Sequence, residues 1–165
     1  MRTKVMTYTG IFTAAAGLAL VTGCSTGNAQ SAPAAPAAPT AQAISGLFTD
    51  WNAALATGDA EKVADLYAPD AVLLPTVSNK VRTNRAEIVD YFQHFLKNKP
   101  GGKIEQEVVN VLDADTAVNT GVYRFGLTQD SVAQEVEARY TFVYELREGK
   151  WLIVNHHSSA MPEKK

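Results

Sequence analysis

The sequence predicts one α+β domain in which a strongly curved antiparallel sheet wraps around a long helix. Three observations predict it. Apolar residues recur at helical spacing only between residues 41 and 96; alternating apolar and polar runs, broken by turn residues, fill 103–159; and the helices come first, with the long meander after them. The 165 residues suit one domain, and an apolar share of 46% with a charged share of 19% suits a packed core.

Each element has its own signal. Ile44, Leu47, Phe48, Trp51 and Leu55 line one face of a first helix, which Gly58 stops. Asp59 can cap a short second helix carrying Val63, Leu66 and Tyr67. Ala71 to Thr76 reads as a short strand, and Pro75 near its end suits a sheet edge. Asn84 followed by Glu87 forms a capping box for a third helix, whose Ile88, Tyr91, Phe92, Phe95 and Leu96 share a face before Pro100-Gly101-Gly102 ends it. Four strands follow, at Lys103 to Leu112, Thr116 to Thr128, Val132 to Leu146 and Trp151 to Ser159, with turns such as Asp113-Ala114-Asp115 and Glu148-Gly149 between them. This four-stranded meander, bent around the third helix, makes a cone with a pocket at its open end.

The N-terminus carries a targeting pattern. Arg2 and Lys4 precede an apolar run from Ile11 to Val21, too short to span a bilayer, and then Val21-Thr22-Gly23-Cys24. That ending resembles a bacterial lipoprotein box. The resemblance implies a signal peptide over 1–23, a lipid on Cys24 as the new N-terminus, and a periplasm-facing protein; Ser25 after the cysteine resembles an outer-membrane address. Residues 24–40 then form a spacer, uncharged from Ser25 to Thr40 and with three Ala-Pro steps, which holds the domain at 41–162 clear of the membrane. Cys24 is the single cysteine, so the chain has no internal disulfide. Net charge is −2, and −4 once Arg2 and Lys4 leave with the leader, 13 basic residues then facing 17 acidic. Neither value offers nucleic acid an electrostatic footprint. About 125 residues remain for the domain, enough to bury roughly two-thirds of the unfolded surface without disulfides.

Trp51, Gly58-Asp59, Leu66-Tyr67, Asp70-Ala71, Tyr91-Phe92 and above all the run Gly149 to Ser159 resemble the nuclear transport factor 2-like superfamily. Within it the chain is most similar to the association (hub) domain of calcium/calmodulin-dependent protein kinase II and its stand-alone bacterial relatives, over Ala41 to Pro162. The resemblance implies a cystatin-like cone and a homodimer across the outer sheet face, or a larger ring. The kinase's catalytic segment is absent. The superfamily also contains ketosteroid isomerase, scytalone dehydratase and SnoaL-type cyclases, so fold alone does not choose a function.

The candidate site residues come from the last strands. His156 and His157 are neighbours in a strand and face opposite sides, so a two-histidine metal clamp needs a bulge. His94 is the third histidine, and without cysteine in the domain no zinc ligand set is expected. The resemblance sets Ser158 at a pocket-arginine position of the hub, and the hub's other two pocket arginines fall on Gly126 and Phe142. By parity His156 and Ser158 face the pocket, Arg124 with Gly126 can supply a displaced guanidinium, and Tyr140 lies with Phe142. Simple alternation places Arg139 outside with Glu137 and Thr141, while a bulge would rotate Arg139 and His157 inward. Trp51, Tyr91 and Tyr123 are core or pocket aromatics.

A general base would have to come from Asp65, Asp70 or Glu137, or from a dyad with His156. The residues therefore point first to a non-catalytic pocket that binds a small, anionic molecule or a partner. The second reading is a cyclase, isomerase or dehydratase working without metal or nucleotide cofactor, and the third a structural hub.

Overall fold

The computed structural model describes residues 37–129 and 131–163. The expected signal segment, Cys24 and most of the expected spacer lie outside the described residues. Thr40 starts the domain by accepting a hydrogen bond from the Ala43 amide, which caps α1 (Ala41–Ala56). α1 buries Ile44, Phe48, Trp51 and Leu55, the helical stripe expected from spacing. Asp59 caps α2 (Ala60–Ala64) through the Glu61 and Lys62 amides. In α3 (Arg85–Phe95) Asn84 accepts from the Glu87 amide, but the Glu87 carboxylate reaches back to the Thr83 amide, one residue earlier than a capping box requires. A 3₁₀ turn over Leu96–Asn98 follows, and Lys99 ends it in the left-handed region at φ 47°.

The sheet has five strands: β1 (Tyr67–Leu74), β2 (Gly101–Val111), β3 (Thr116–Gln129), β4 (Val132–Arg147) and β5 (Lys150–Ala160), in the order β1-β5-β4-β3-β2. The expected meander is present, and the short apolar segment joins it as a fifth strand, parallel to β5 at the edge. β1 starts at Tyr67, not Ala71. Pro69 and Asp70 lie in an exposed irregularity between the paired residues Tyr67 and Val72, which hides the strand's first half from periodicity. β2 likewise starts at Gly101. Gly102 opposes Phe125, and a Cβ there would meet that ring at 2.8 Å and Phe48 at 3.2 Å, so the glycine lets α1 and β3 close on each other.

Two irregularities set which side chains face α1 and α3. The β2–β3 register shifts between Ile104 and Gln106, so Ile104 and then Glu107, Val109 and Val111 stay on the covered face. Gly121 pays for this bulge: its Cβ would lie 1.9 Å from the Gln106 carbonyl oxygen. On β5 the register shifts between Val143 and Tyr144, and the extra residue Val154 falls before the histidine pair. Ile153, His156 and Ser158 therefore all turn inward. Trp51 sits at the centre, edge-on to Phe92, Phe125, Phe142 and His156 at centroid distances of 6.5, 6.0, 5.3 and 5.4 Å.

Candidate ligand-binding cavity

Behind the concave face runs a buried hydrogen-bond chain. Trp51 Nε1 donates to Tyr67 Oη at 3.1 Å, and Tyr67 Oη lies 2.9 Å from His156 Nδ1. The phenol has one proton, and indole can only donate. The Tyr67 hydroxyl, which accepts from Trp51, closes the chain on Nδ1, as donor or as second-time acceptor according to the imidazole tautomer. Burial keeps the imidazole neutral: it pushes His156 down to about 3, with His157 adding to the effect, and raises Tyr67 well above its ordinary range. Phe142 stacks on the imidazole at 4.0 Å. Nε2 is buried and has no partner among the described residues.

Above this chain is a cavity of about 40 Å³, room for about three waters. Its walls are Trp51, Phe92, Phe95, Phe125, Leu127, Val136 and Ala138, with Leu73 and Pro75 from the end of β1. Its polar edge is a triad of hydroxyls: Tyr123 Oη donates to Ser158 Oγ at 2.5 Å, and Ser158 also contacts Thr76 Oγ1. Burial pushes the Tyr123 phenol up to about 12, opposed in part by Ser158. At neutral pH the edge therefore consists of uncharged donors and acceptors. Outside it a wider hollow of about 410 Å³ shares Val77, Tyr91, Phe95, Leu127 and Val136 with the cavity and adds Ser78, Arg82, Asp90, His94 and Gln134.

His156, Ser158, Trp51, Tyr91 and Tyr123 all line the inner cavity, and all five were among the sequence candidates. Tyr140 is inside the domain but not at the cavity; it is buried, stacks on Tyr123 at 4.8 Å and donates to Asn119 Oδ1 at 2.9 Å. Arg124 is a correction. It is exposed and pairs with Glu105 and Glu135, because Tyr123 and Phe125 take the inward positions of β3 and leave residue 124 the other face. Arg139 and His157 also stay outside, since the β5 bulge precedes the histidines and leaves simple alternation intact beyond it. They border a groove on the outer sheet face with Thr120, Val122 and Ser159, where Arg139 Nη2 donates to Ser159 Oγ at 3.3 Å.

None of the proposed acids lines the inner cavity. Asp65 pairs with Arg85 at 2.7 Å, Asp70 with Arg147 at 2.5 Å, and Glu137 is on the outward side of β4 with Arg139. A carboxylate–histidine dyad therefore has no acid at the cavity. The site suits recognition: an apolar body between aromatic walls, oriented by neutral hydroxyls. Sequence reasoning did not single out Tyr67, Thr76 or Arg82 for the site. Tyr67 was assigned to a helix face, and Thr76 and Arg82 lie in the β1–α3 connection, where no periodicity indicates direction.

The family model that matches, over residues 40–162, is that of the calcium/calmodulin dependent protein kinase II association domain. A structure from Xanthomonas campestris assigned to that association domain is 60% identical, covers 79% of this chain and 94% of its own, and superposes with a TM-score of 0.75. The association domain of the C. elegans kinase is 15% identical over 72% of this chain and 94% of that one, with a TM-score of 0.60. A nuclear transport factor 2-like protein from Salmonella enterica is 15% identical over 76% and 93%, with a TM-score of 0.65. The last two show the shared cystatin-like fold. No curated protein matches the chain.

Proposed function

Because this chain belongs to the calcium/calmodulin-dependent protein kinase II association domain family, we propose that it is an oligomerising, ligand-binding domain carried at the cell envelope by a lipid on Cys24. The observation that carries the binding half is the inner cavity: aromatic walls, a hydroxyl edge at Ser158 and no carboxylate. Oligomerisation is supported by the family's association domains and by the groove beside Arg139 and His157 on the outer sheet face, which a second copy would cover. The anchor rests on the Val21-Thr22-Gly23-Cys24 pattern and the spacer that follows.

A thermal-shift screen of the full chain against small carboxylates, sterol-like and polyketide-like compounds tests the binding half. At about a hundred times its dissociation constant a ligand adds roughly 2.7 kcal/mol and raises Tm by several degrees. Ala138→Leu, which fills the cavity, should remove that rise; a rise unchanged in this variant places the ligand elsewhere. Intact mass should show a lipid on Cys24 in membrane fractions, and Cys24→Ala should leave the chain unlipidated. Light scattering should give a multiple of the monomer mass at micromolar concentration, and a monomer would contradict the oligomer.

A further inference from the structure

We propose that a hollow between α1 and the start of β5 binds a primary ammonium on an apolar body, with Asp50 and the Tyr144 hydroxyl as its polar contacts. This site is separate from the inner cavity and independent of the ligand reading above. β4 turns Ala138, Tyr140, Phe142 and Tyr144 inward, and all four are buried. Ala138 lines the inner cavity, whereas Tyr144 lies further along the strand, about 20 Å away by strand rise. There another hollow opens, of about 410 Å³. Leu47, Leu66 and Trp151 wall it, and Asp50 of α1 and Lys150 of β5 border it with Tyr144.

Tyr144 marks this hollow as a site. The residue is 2% exposed, Phe142 stacks on its ring at 5.7 Å, and its hydroxyl has no hydrogen-bond partner among the described residues. A buried hydroxyl left without a partner is costly, and a bound molecule can complete its bonding. Burial does most to keep this phenol protonated, and Tyr140 and the carboxylates of Glu107 and Asp50 add to it. Two nearby carboxylates disfavour an anion beside the hydroxyl and favour a positively charged donor.

One acid there is available to hold such a cation. Glu107 has both oxygens engaged, by Ser45 at 2.8 Å and by Asn119 at 2.7 Å. Asp65, which also borders the hollow, is taken by Arg85 at 2.7 Å. The exposed Asp50 carboxylate forms no hydrogen bond or ion pair with the described residues. An ammonium carries three donors and can reach Asp50 and the Tyr144 oxygen together. Lys150 pairs with none of the described acids and opposes a second positive charge. These groups fit a monocation with an alkyl or aryl body, either a free amine or the lysine side chain of a partner.

The test is calorimetric titration of the full chain with isoamylamine, phenethylamine and N-acetyllysine methylamide, with isoamyl alcohol as the neutral isostere and cadaverine as the dication. At least one of the three amines should bind, and isoamyl alcohol should bind about fivefold or more weakly than the best of them. D50N should lose about fivefold or more for that amine and leave the alcohol unchanged. Y144F, which removes only the hydroxyl, should lose about threefold or more. A138L, which fills the inner cavity, should bind the amine as wild type does. Tightest binding by isoamylamine or phenethylamine would support a free amine as the ligand, and tightest binding by the lysine derivative would support a partner's side chain. Affinity unchanged in D50N or in Y144F, or lost in A138L, would overturn the proposal. Cadaverine or isoamyl alcohol binding as tightly as the best amine, or no binding by any of the three amines, would overturn it too.

Discussion

Asn119, Glu107, Tyr140 and Ser45 close on one another through hydrogen bonds, with only the neighbouring Tyr144 hydroxyl left without a partner among the described residues; at His156 and Arg82 a buried nitrogen of each is left unpaired beside a cavity. Asn119 is fully buried, its Nδ2 donates to Glu107 Oε1 at 2.7 Å, and its Oδ1 accepts from Tyr140 at 2.9 Å. Ser45 of α1 donates to the other Glu107 oxygen at 2.8 Å, so helix, β2, β3 and β4 are joined through one satisfied network. Nearer the end of β3 the arrangement differs. His156 Nε2 and Arg82 Nε are buried without partners among the described residues, and a cavity replaces side-chain packing. A buried group without a partner costs about 1–3 kcal/mol. The Asn119 network uses its polar atoms for stability, whereas the His156–Arg82 end leaves two buried nitrogens unpaired among the described residues, as the proposed ligand site at the cavity requires.

Three predictions sharpen that contrast. The largest effect is at Asn119. Asn119→Ala strands both the Tyr140 hydroxyl and a Glu107 oxygen, and should cost about 3 kcal/mol in denaturant unfolding. A cost under about 1 kcal/mol would mean the network is not structural.

The second is a pH dependence from His156. Its folded pKa, about 3, is depressed from an ordinary 6.5, so the unfolded chain takes up the proton first as pH falls. Stability is therefore complete above about pH 6.5 and declines toward pH 3, at up to about 1.4 kcal/mol per unit. Depressed carboxylates such as Asp70 and Glu87 add losses at lower pH, so the comparison is with His156→Gln, whose profile should be flatter between pH 6 and 4. Identical profiles would contradict a buried neutral histidine.

The smallest effect is at Ser158. Ser158→Ala leaves Thr76 and Tyr123 beside a cavity that can admit water, and should cost about 1 kcal/mol or less by the same unfolding measurement.

How far this division could be read from sequence depends on whether a residue sits in a repeating element. Trp51 and Phe92 were legible because helical spacing sets their direction, and His156 and Ser158 because the hub position that falls on Ser158 fixes the parity of β5. The same anchoring failed on β3: the hub position that falls on Gly126 would turn Arg124 inward by parity, yet β3 turns Tyr123 and Phe125 inward. The β5 bulge was foreseen as a kind of event but not in place; at Val154 it leaves Arg139 and His157 outside. Thr76 and Arg82 were invisible for a different reason. They occupy an irregular connection, and the partners that orient them, Ser158, Leu73 and Tyr91, are supplied only by tertiary packing.

The most direct test of the contrast measures stability and ligand affinity together in Asn119→Ala and Ser158→Ala, using whichever compound raises Tm in the wild type. The account predicts a crossed result: Asn119→Ala loses stability while its folded fraction keeps near wild-type affinity, and Ser158→Ala keeps stability but loses several-fold in affinity. Parallel losses in both variants, or a Ser158→Ala protein that binds as wild type, would contradict it.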